Sequence, residues 1–330
     1  MTHVFLSVLV SAAALAIAGC TSGATPASSD GTPQTLSHER EAAERSLSGT
    51  FAGSHPIQVV ATSGMVADLV RNVGGTHVRV HQLMGEGVDP HLYNPTPGDV
   101  RRLSDADAIF FSGLHLEGKM SEIFESIARE KPTVPVTLRI AAERLIKADK
   151  DYYDPHVWFD VALWSEAAQA VGDVLAKFDP DHADDYQQNT AAFRERLAEL
   201  DEFCRQEMAA VPEQQRVLVT AHDAFHYFGR AYGVEVKAIQ GVSTASEASL
   251  ARINQLVDFM VQNKIKAVFV ESSVPERNVR SLIEGCAARG HTVATGGELF
   301  SDAMGAPGTP EGTYEGMVRH NVETIRDALQ

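Results

Sequence analysis

Cysteine is nearly absent from this sequence. Its 330 residues include 3 cysteines, none in a Cys-x-x-Cys pair, which argues against a thiolate metal cage or a dithiol redox motif. Runs of Lys and Arg are missing as well, and with a net charge of -16 the chain offers no electrostatic footprint for nucleic acid. No Gly-x-Ser-x-Gly, His-Glu-x-x-His or phosphate-cradling glycine loop occurs, so the hydrolase and nucleotide-binding classes that carry those motifs have no support. The acidity exerts a weak long-range pull on cations that salt screens, and an ordinary soluble surface accounts for it equally well.

Long apolar runs are also lacking, with one exception. Val4 to Ala18 is almost uniformly apolar, shorter than the roughly 20 residues that span a bilayer and suited to a signal peptide over residues 1–19. Ile17-Ala18-Gly19-Cys20 resembles the bacterial lipobox and marks Cys20 as a lipidation site, although no Lys or Arg precedes it. A plain cleaved signal with an incidental cysteine is the alternative. Residues 20–53 are rich in Ser, Gly, Thr and Ala with a charged patch from Glu39 to Arg45. They show no sustained apolar periodicity and read as a flexible, lipid-attached tether.

About 280 residues follow, enough to bury two modest cores. Short β-rich runs alternate with helical patterns, the rhythm of parallel sheets covered by helices. In residues 54–180 strands are expected at Ile57 to Ala61, Val78 to Leu83, Ala108 to Ser112 and Thr133 to Leu138, with helices at Met65 to Val73, Pro97 to Ser104, Met120 to Glu130 and Asp160 to Phe178. Residues 181–211 carry apolar positions three or four apart and no Gly or Pro. One helix of about 45 Å linking two lobes is expected there; the alternative is two shorter helices broken near Asn189. In residues 212–330 strands are expected at Val217 to Thr220, Val234 to Ile239, Lys266 to Glu271 and His291 to Ala294. Helices are expected at Ala224 to Tyr232, Ser246 to Asn263, Glu276 to Arg289 and Tyr314 to Leu329. The fold class is α/β, with two lobes of mainly parallel sheet flanked by helices, one long rigid linking helix, and a site in the cleft. Spacing leaves open whether Cys204 and Cys286 pair.

Two tripeptides stand out, Asp89-Pro90-His91 and Asp154-Pro155-His156. In each, proline stiffens the backbone before an imidazole and a carboxylate two residues upstream is available as its partner. Ligands in α/β sheets gather beyond the carboxyl ends of strands, and that rule selects among the 13 histidines. His91 follows the strand ending near Leu83, His156 precedes the helix that closes the first lobe, and His222 follows Val217 to Thr220. Beyond the last strand, Gly296-Gly-Glu-Leu-Phe-Ser-Asp302 supplies a carboxylate. Three imidazoles and one carboxylate suit zinc or manganese and lack the soft sulfur expected for copper(I). His226 competes with His222 as a ligand four residues away, or packs among Phe225, Tyr227 and Phe228. His115 reads as a cleft-wall residue or a partner of a ligand, and Glu271 as a ligand or, preferably, a hydrogen-bond acceptor. His55, His77, His81, His182, His291 and His320 have no convergent context and read as surface residues.

These residues carry a resemblance. Met84-Gly-Glu-Gly-Val-Asp-Pro-His-Leu-Tyr93, Gly113-Leu-His-Leu-Glu-Gly-Lys-Met120, Asp154-Pro-His-Val-Trp-Phe-Asp160, Thr220-Ala-His-Asp-Ala-Phe225, Gly241-Val-Ser-Thr-Ala-Ser-Glu247, Val270-Glu-Ser-Ser273 and Gly297-Glu-Leu-Phe-Ser-Asp-Ala-Met-Gly305 resemble the motifs of one family. It is that of the metal-binding lipoproteins of ABC importers, cluster A-I or cluster 9, and the chain is most similar to its TroA type. The resemblance implies two α/β lobes joined by a long helix, with one ion held by His91, His156, His222 and Asp302. Asp89, Asp154, His115 and Glu271 would support those ligands. Zinc-dedicated members commonly carry a His-rich loop, and residues 119–153 hold no histidine; many manganese-dedicated members have glutamate where this chain has His222. The set therefore fits Zn2+ or Mn2+, with Fe2+ also within reach.

The expected function is an exported, lipid-anchored, monomeric receptor in the periplasm or on the outer face of the cytoplasmic membrane. It would capture a divalent transition metal and deliver it to a permease powered by an ATPase, and it would not be an enzyme. The rivals are a secreted zinc hydrolase and a metal-binding surface adhesin. Ligand protonation would weaken binding toward the histidine pKa of about 6.5, and the long helix implies limited closure rather than a wide hinge.

Overall fold

In the first strands, side chains alternate between two cores, as the two-residue period of a strand requires. Val59, Ala61, Ala108 and Phe110 enter one buried cluster, while Val60, Ile109 and Phe111 enter another on the opposite face. A sheet buried on both faces must be covered on both, and helices do this. The computed structural model describes residues 33–330; the expected signal peptide and Cys20 lie outside the described residues.

The first lobe is a four-stranded parallel sheet in the order β2-β1-β3-β4, with β1 Ile57–Ala61, β2 Val78–Gln82, β3 Ala108–Phe111 and β4 Thr133–Pro135. Around it lie α2 Gly64–Gly74, α3 Pro97–Asp105, α4 Ser121–Ile127 and α5 Val161–Phe178. Caps fall where the sequence supplies them: Ser63 for α2, a Thr96/Asp99 capping box for α3 and Asp160 for α5.

The second lobe holds two parallel pairs, β5 Val217–Thr220 with β6 Glu235–Ala238 and β7 Ala267–Glu271 with β8 Ala294–Leu299, with β5 beside β7. Its helices are α7 His226–Tyr232, α8 Leu250–Asn263, α9 Arg277–Ala287 and α10 Tyr314–Leu329. The last strand differs from expectation: His291 to Ala294 only leads into it. Gly296-Gly297 reads as a loop yet lies inside β8, beside a register shift at Val268/Phe269. A side chain at Gly296 would meet the Phe269 ring at 2.8 Å, and Gly297 has φ +138 with Thr324 at 2.5 Å, so the glycines let the strand pass between the two.

Between the lobes runs α6, Ala183–Ala210, unbroken over 28 residues, or about 42 Å; it does not break near Asn189. It packs on α2 and α5 on one side and on α7 and α10 on the other. One apolar cluster runs continuously from Val59 and Trp164 through Phe193 and Leu200 to Phe269 and Ile325. The lobes therefore share a core, which restricts hinge motion.

One helix is unexpected. Gln34–Ser46 of the tether forms α1, capped against β4. Leu36, Ala43 and Leu47 are buried, Glu39 accepts the Leu114 N–H at 3.1 Å, Arg40 donates to the Ile140 carbonyl, and Ser46 Oγ accepts the Thr133 N–H at 3.1 Å. Three small or aliphatic contacts among charged residues are too few to register as periodicity. Cys204 and Cys286 are free and buried, and no described helix is long and apolar enough to cross a membrane.

Candidate metal centre

Both Asp-Pro-His tripeptides close the same local turn, in which the aspartate carboxylate accepts the N–H of the histidine two residues on. Asp89 Oδ1 does so for His91 at 2.8 Å and Asp154 Oδ1 for His156 at 2.9 Å. Beyond that they differ. Asp154 also takes the His156 ring at Nδ1, at 2.7 Å, while Asp89 turns its other oxygen to the Thr244 hydroxyl at 2.6 Å. From the second lobe, His222 sits just past β5, and Glu271 at the end of β7 accepts both its backbone N–H, at 2.8 Å, and its ring Nδ1. Asp302 follows β8 with both carboxylate oxygens buried and without a hydrogen-bond partner.

The bonds at Nδ1 place the proton there on His156 and His222 and leave Nε2 as the lone-pair nitrogen. These Nε2 atoms converge. His156 lies 3.4 Å from His91 and 3.3 Å from His222, Nε2 to Nε2. Asp302 oxygens stand 3.2 Å from His156, 3.2 Å from His222 and 3.7 Å from His91. Ligands about 2.0–2.1 Å from a tetrahedral zinc ion are roughly 3.3 Å apart. The four donors already stand near the corners of such a figure.

The electrostatics are those of a centre that wants a cation. Burial and two neighbouring imidazoles lower His91 to about 3 against the pull of Asp302. Burial also opposes a charge on His156, yet Asp154 and Asp302 outweigh it and raise His156 to about 9. Burial is likewise overcome at His222, held well above the usual histidine range by Glu271 and Asp302. Asp302 in turn is held well below the carboxylate range by His222 and His156 despite its burial. An ion at the centre would replace protons on the imidazoles and face the free oxygens of Asp302.

His226 stays outside the set, its ring 3.2 Å from Asp223 and 3.7 Å from Asp154. His115 is exposed and packs its ring on Tyr152 at 4.7 Å. Thr244 is the contact that the sequence did not reveal, since its only signal was a small polar loop. The reading of His55, His77 and His182 as scattered surface residues is corrected: one nitrogen from each gathers within 4.8 Å of the others. Their convergence depends on segments far apart in sequence.

Comparison with known proteins fits this architecture. Residues 59–328 match the family described as ZnuA, zinc-uptake complex component A, periplasmic. The chain belongs to this family. It is 49% identical over 275 residues to the manganese-binding lipoprotein MntA of Bacillus subtilis (strain 168), covering 83% of this chain and 90% of that protein. It is 50% identical over 271 residues to the zinc-binding protein TroA of Treponema pallidum (strain Nichols), covering 82% and 88%. The solved periplasmic zinc-binding TroA from Treponema pallidum superposes with a TM-score of 0.81 at 49% identity, covering 83% of this chain and 99% of that one. The family is one of substrate-binding components, and the chain is a binding protein rather than an enzyme.

Proposed function

We propose that this chain is an extracytoplasmic receptor that captures zinc or manganese between its lobes and delivers it to an ABC-type importer. His91, His156, His222 and Asp302 are the ligands, and Asp154 and Glu271 orient two of the imidazoles. The observation that carries this reading is the spacing of the four buried donors, 3.2–3.7 Å for the pairs given above. The order of divalent affinities at nitrogen and oxygen donors favours zinc over manganese, so the cargo in the cell follows availability and the permease. A hydrolytic centre would need an open fourth position, and Asp302 fills it. Attachment through a lipid on Cys20, a monomeric state, and partnership with a permease and its ATPase complete the proposal.

Elemental analysis of the protein from its native host tests the cargo, and zinc stoichiometry of His222→Ala tests the site. Loss of the bound ion with the fold intact supports the assignment. Unchanged stoichiometry rejects it, and manganese as the major ion rejects zinc as sole cargo.

A further inference from the structure

Three imidazoles meet on the first lobe, away from the cleft ligands. His55 lies in the segment entering β1, His77 in the turn between α2 and β2, and His182 in the turn that opens α6. Their ring centroids are 4.4 Å apart for His55 and His182, 4.0 Å for His77 and His182, and 5.9 Å for His55 and His77. Two carboxylates flank them. Asp179 Oδ2 is 2.9 Å from His182 Nδ1 and 3.5 Å from His55 Nε2, and Asp185 Oδ2 is 2.8 Å from His77 Nε2. Asp179 is itself buried and fixed by the Tyr186 hydroxyl at 2.7 Å.

A carboxylate on one ring nitrogen fixes the tautomer and leaves a lone pair on the other, the arrangement that supports metal-binding histidines. A packed surface trio without an ion gains little, because three imidazoles in contact cannot all be protonated without repulsion. With an ion, nitrogen donors from three separate segments and a nearby fixed carboxylate form a borderline donor set.

We infer that His55, His77 and His182, with Asp179 alongside, form a second site for a divalent transition metal of the zinc class. It differs from the cleft centre in being open to solvent: the side chains of His55, His77 and His182 are 34%, 22% and 29% exposed, against 0% for His156 and His222. Exposure makes it the weaker and faster-exchanging site. An ion there clips the segment after the tether to the opening turn of α6. Phe51 already bonds to that region through its N–H and the Phe178 carbonyl, at 2.6 Å.

The test is zinc equilibrium dialysis with elemental analysis on tag-free protein. Wild type takes up a second ion per chain, released by a weaker chelator than the first. His77→Ala combined with His182→Ala abolishes the second ion and keeps the first, whereas His222→Ala loses the tight ion and keeps the labile one. Should the cleft assignment be wrong, His222→Ala changes nothing while the double variant still loses an ion. Where the double variant unfolds, ring resonances of His55, His77 and His182 are followed in wild type already carrying one equivalent of zinc. They shift on further zinc. Saturation of wild type at a single ion, or unmoved resonances, overturns the site.

Discussion

The Thr244 hydroxyl donates to Asp89 Oδ2 at 2.6 Å, joining the His91 loop of the first lobe to a loop of the second. The other Asp-Pro-His segment is held across the cleft far more firmly. Tyr227 donates to the Asp154 carbonyl at 2.9 Å, Trp158 Nε1 to the Ser301 carbonyl at 3.1 Å and Tyr314 to the Trp158 carbonyl at 2.6 Å, while Phe159 stacks on Phe225 at 4.3 Å. His156 therefore belongs to the shared core, and His91 sits on the segment with the slighter tie. Thr244→Val removes that tie at constant shape. A hydrogen bond to a charged group contributes about 1.5–3 kcal/mol, so metal release measured by stopped-flow chelation quickens by roughly tenfold or more. Tm stays near wild type, and an unchanged release rate removes the loop from the exit route.

Glu271 is the sole carboxylate on the His222 ring Nδ1 and also takes its backbone N–H. Glu271→Gln keeps the size but loses the charge and one acceptor. Such partners of metal-bound histidines matter by about 10–100-fold in affinity. Competition titration against a zinc chelator should show a loss in that range with the circular dichroism unchanged. Wild-type affinity in Glu271→Gln contradicts an orienting role.

Proton release follows from the cleft. In the metal-free fold His156 is raised to about 9 and His222 well above 6.5, so both carry protons at pH 7 that an entering ion displaces. The sign is fixed by the raised values. Stability that the protonated imidazoles give the metal-free fold is complete below the unfolded value of about 6.5, and it is lost as pH rises through about 9. Metal affinity moves the other way and climbs between pH 7 and 9. The weakening thus begins well above the 6.5 inferred from sequence alone. Calorimetry in buffers of different ionisation enthalpy counts the protons, and zinc uptake at pH 7 without proton release is incompatible with this account.

How much of this was legible depended on whether a signal was local. β1, β5 and α10 have the bounds read from their apolar patterns, and the strand-end rule picked out the four converging donors because each lies beside an element with a clear pattern. β8 was misplaced because Gly296-Gly297 is needed for Phe269 and Thr324, neighbours that only the fold supplies. The trio of His55, His77 and His182 and the Asp89–Thr244 bond were illegible for the same reason: no periodicity links residues brought together by three separate segments.

Helix α1 supplies a pH-dependent contact of its own. Burial raises Glu39 to about 7 from 4.5, with repulsion from Glu117 adding to it and the Leu114 N–H and Arg40 opposing. A raised carboxyl favours the protonated, packed form, so stability is greatest below about 4.5 and falls as pH rises toward 7. Glu39→Gln removes this term. Its Tm should exceed that of wild type at pH 8 and match it near pH 4, and a constant difference across that range refutes the titration.

The crossing of α5 and α6 is the tightest helix contact that the sequence builds with glycine. A Cβ at Gly172 would stand 2.2 Å from Thr190 Oγ1 and 3.2 Å from Thr190 Cβ. The Thr190 hydroxyl has no room to yield, because it is buried and donates to the Tyr186 carbonyl at 2.7 Å. Gly172→Val must push the helices apart, and overpacking of this kind costs about 1–3 kcal/mol. Because α6 carries both halves of the shared core, the loss should appear as one cooperative transition at lower denaturant. The cleft lies on other segments, so zinc stoichiometry stays at the wild-type value in the folded fraction. Two separate transitions in Gly172→Val would instead mean that the lobes fold independently and that α6 is a passive tie.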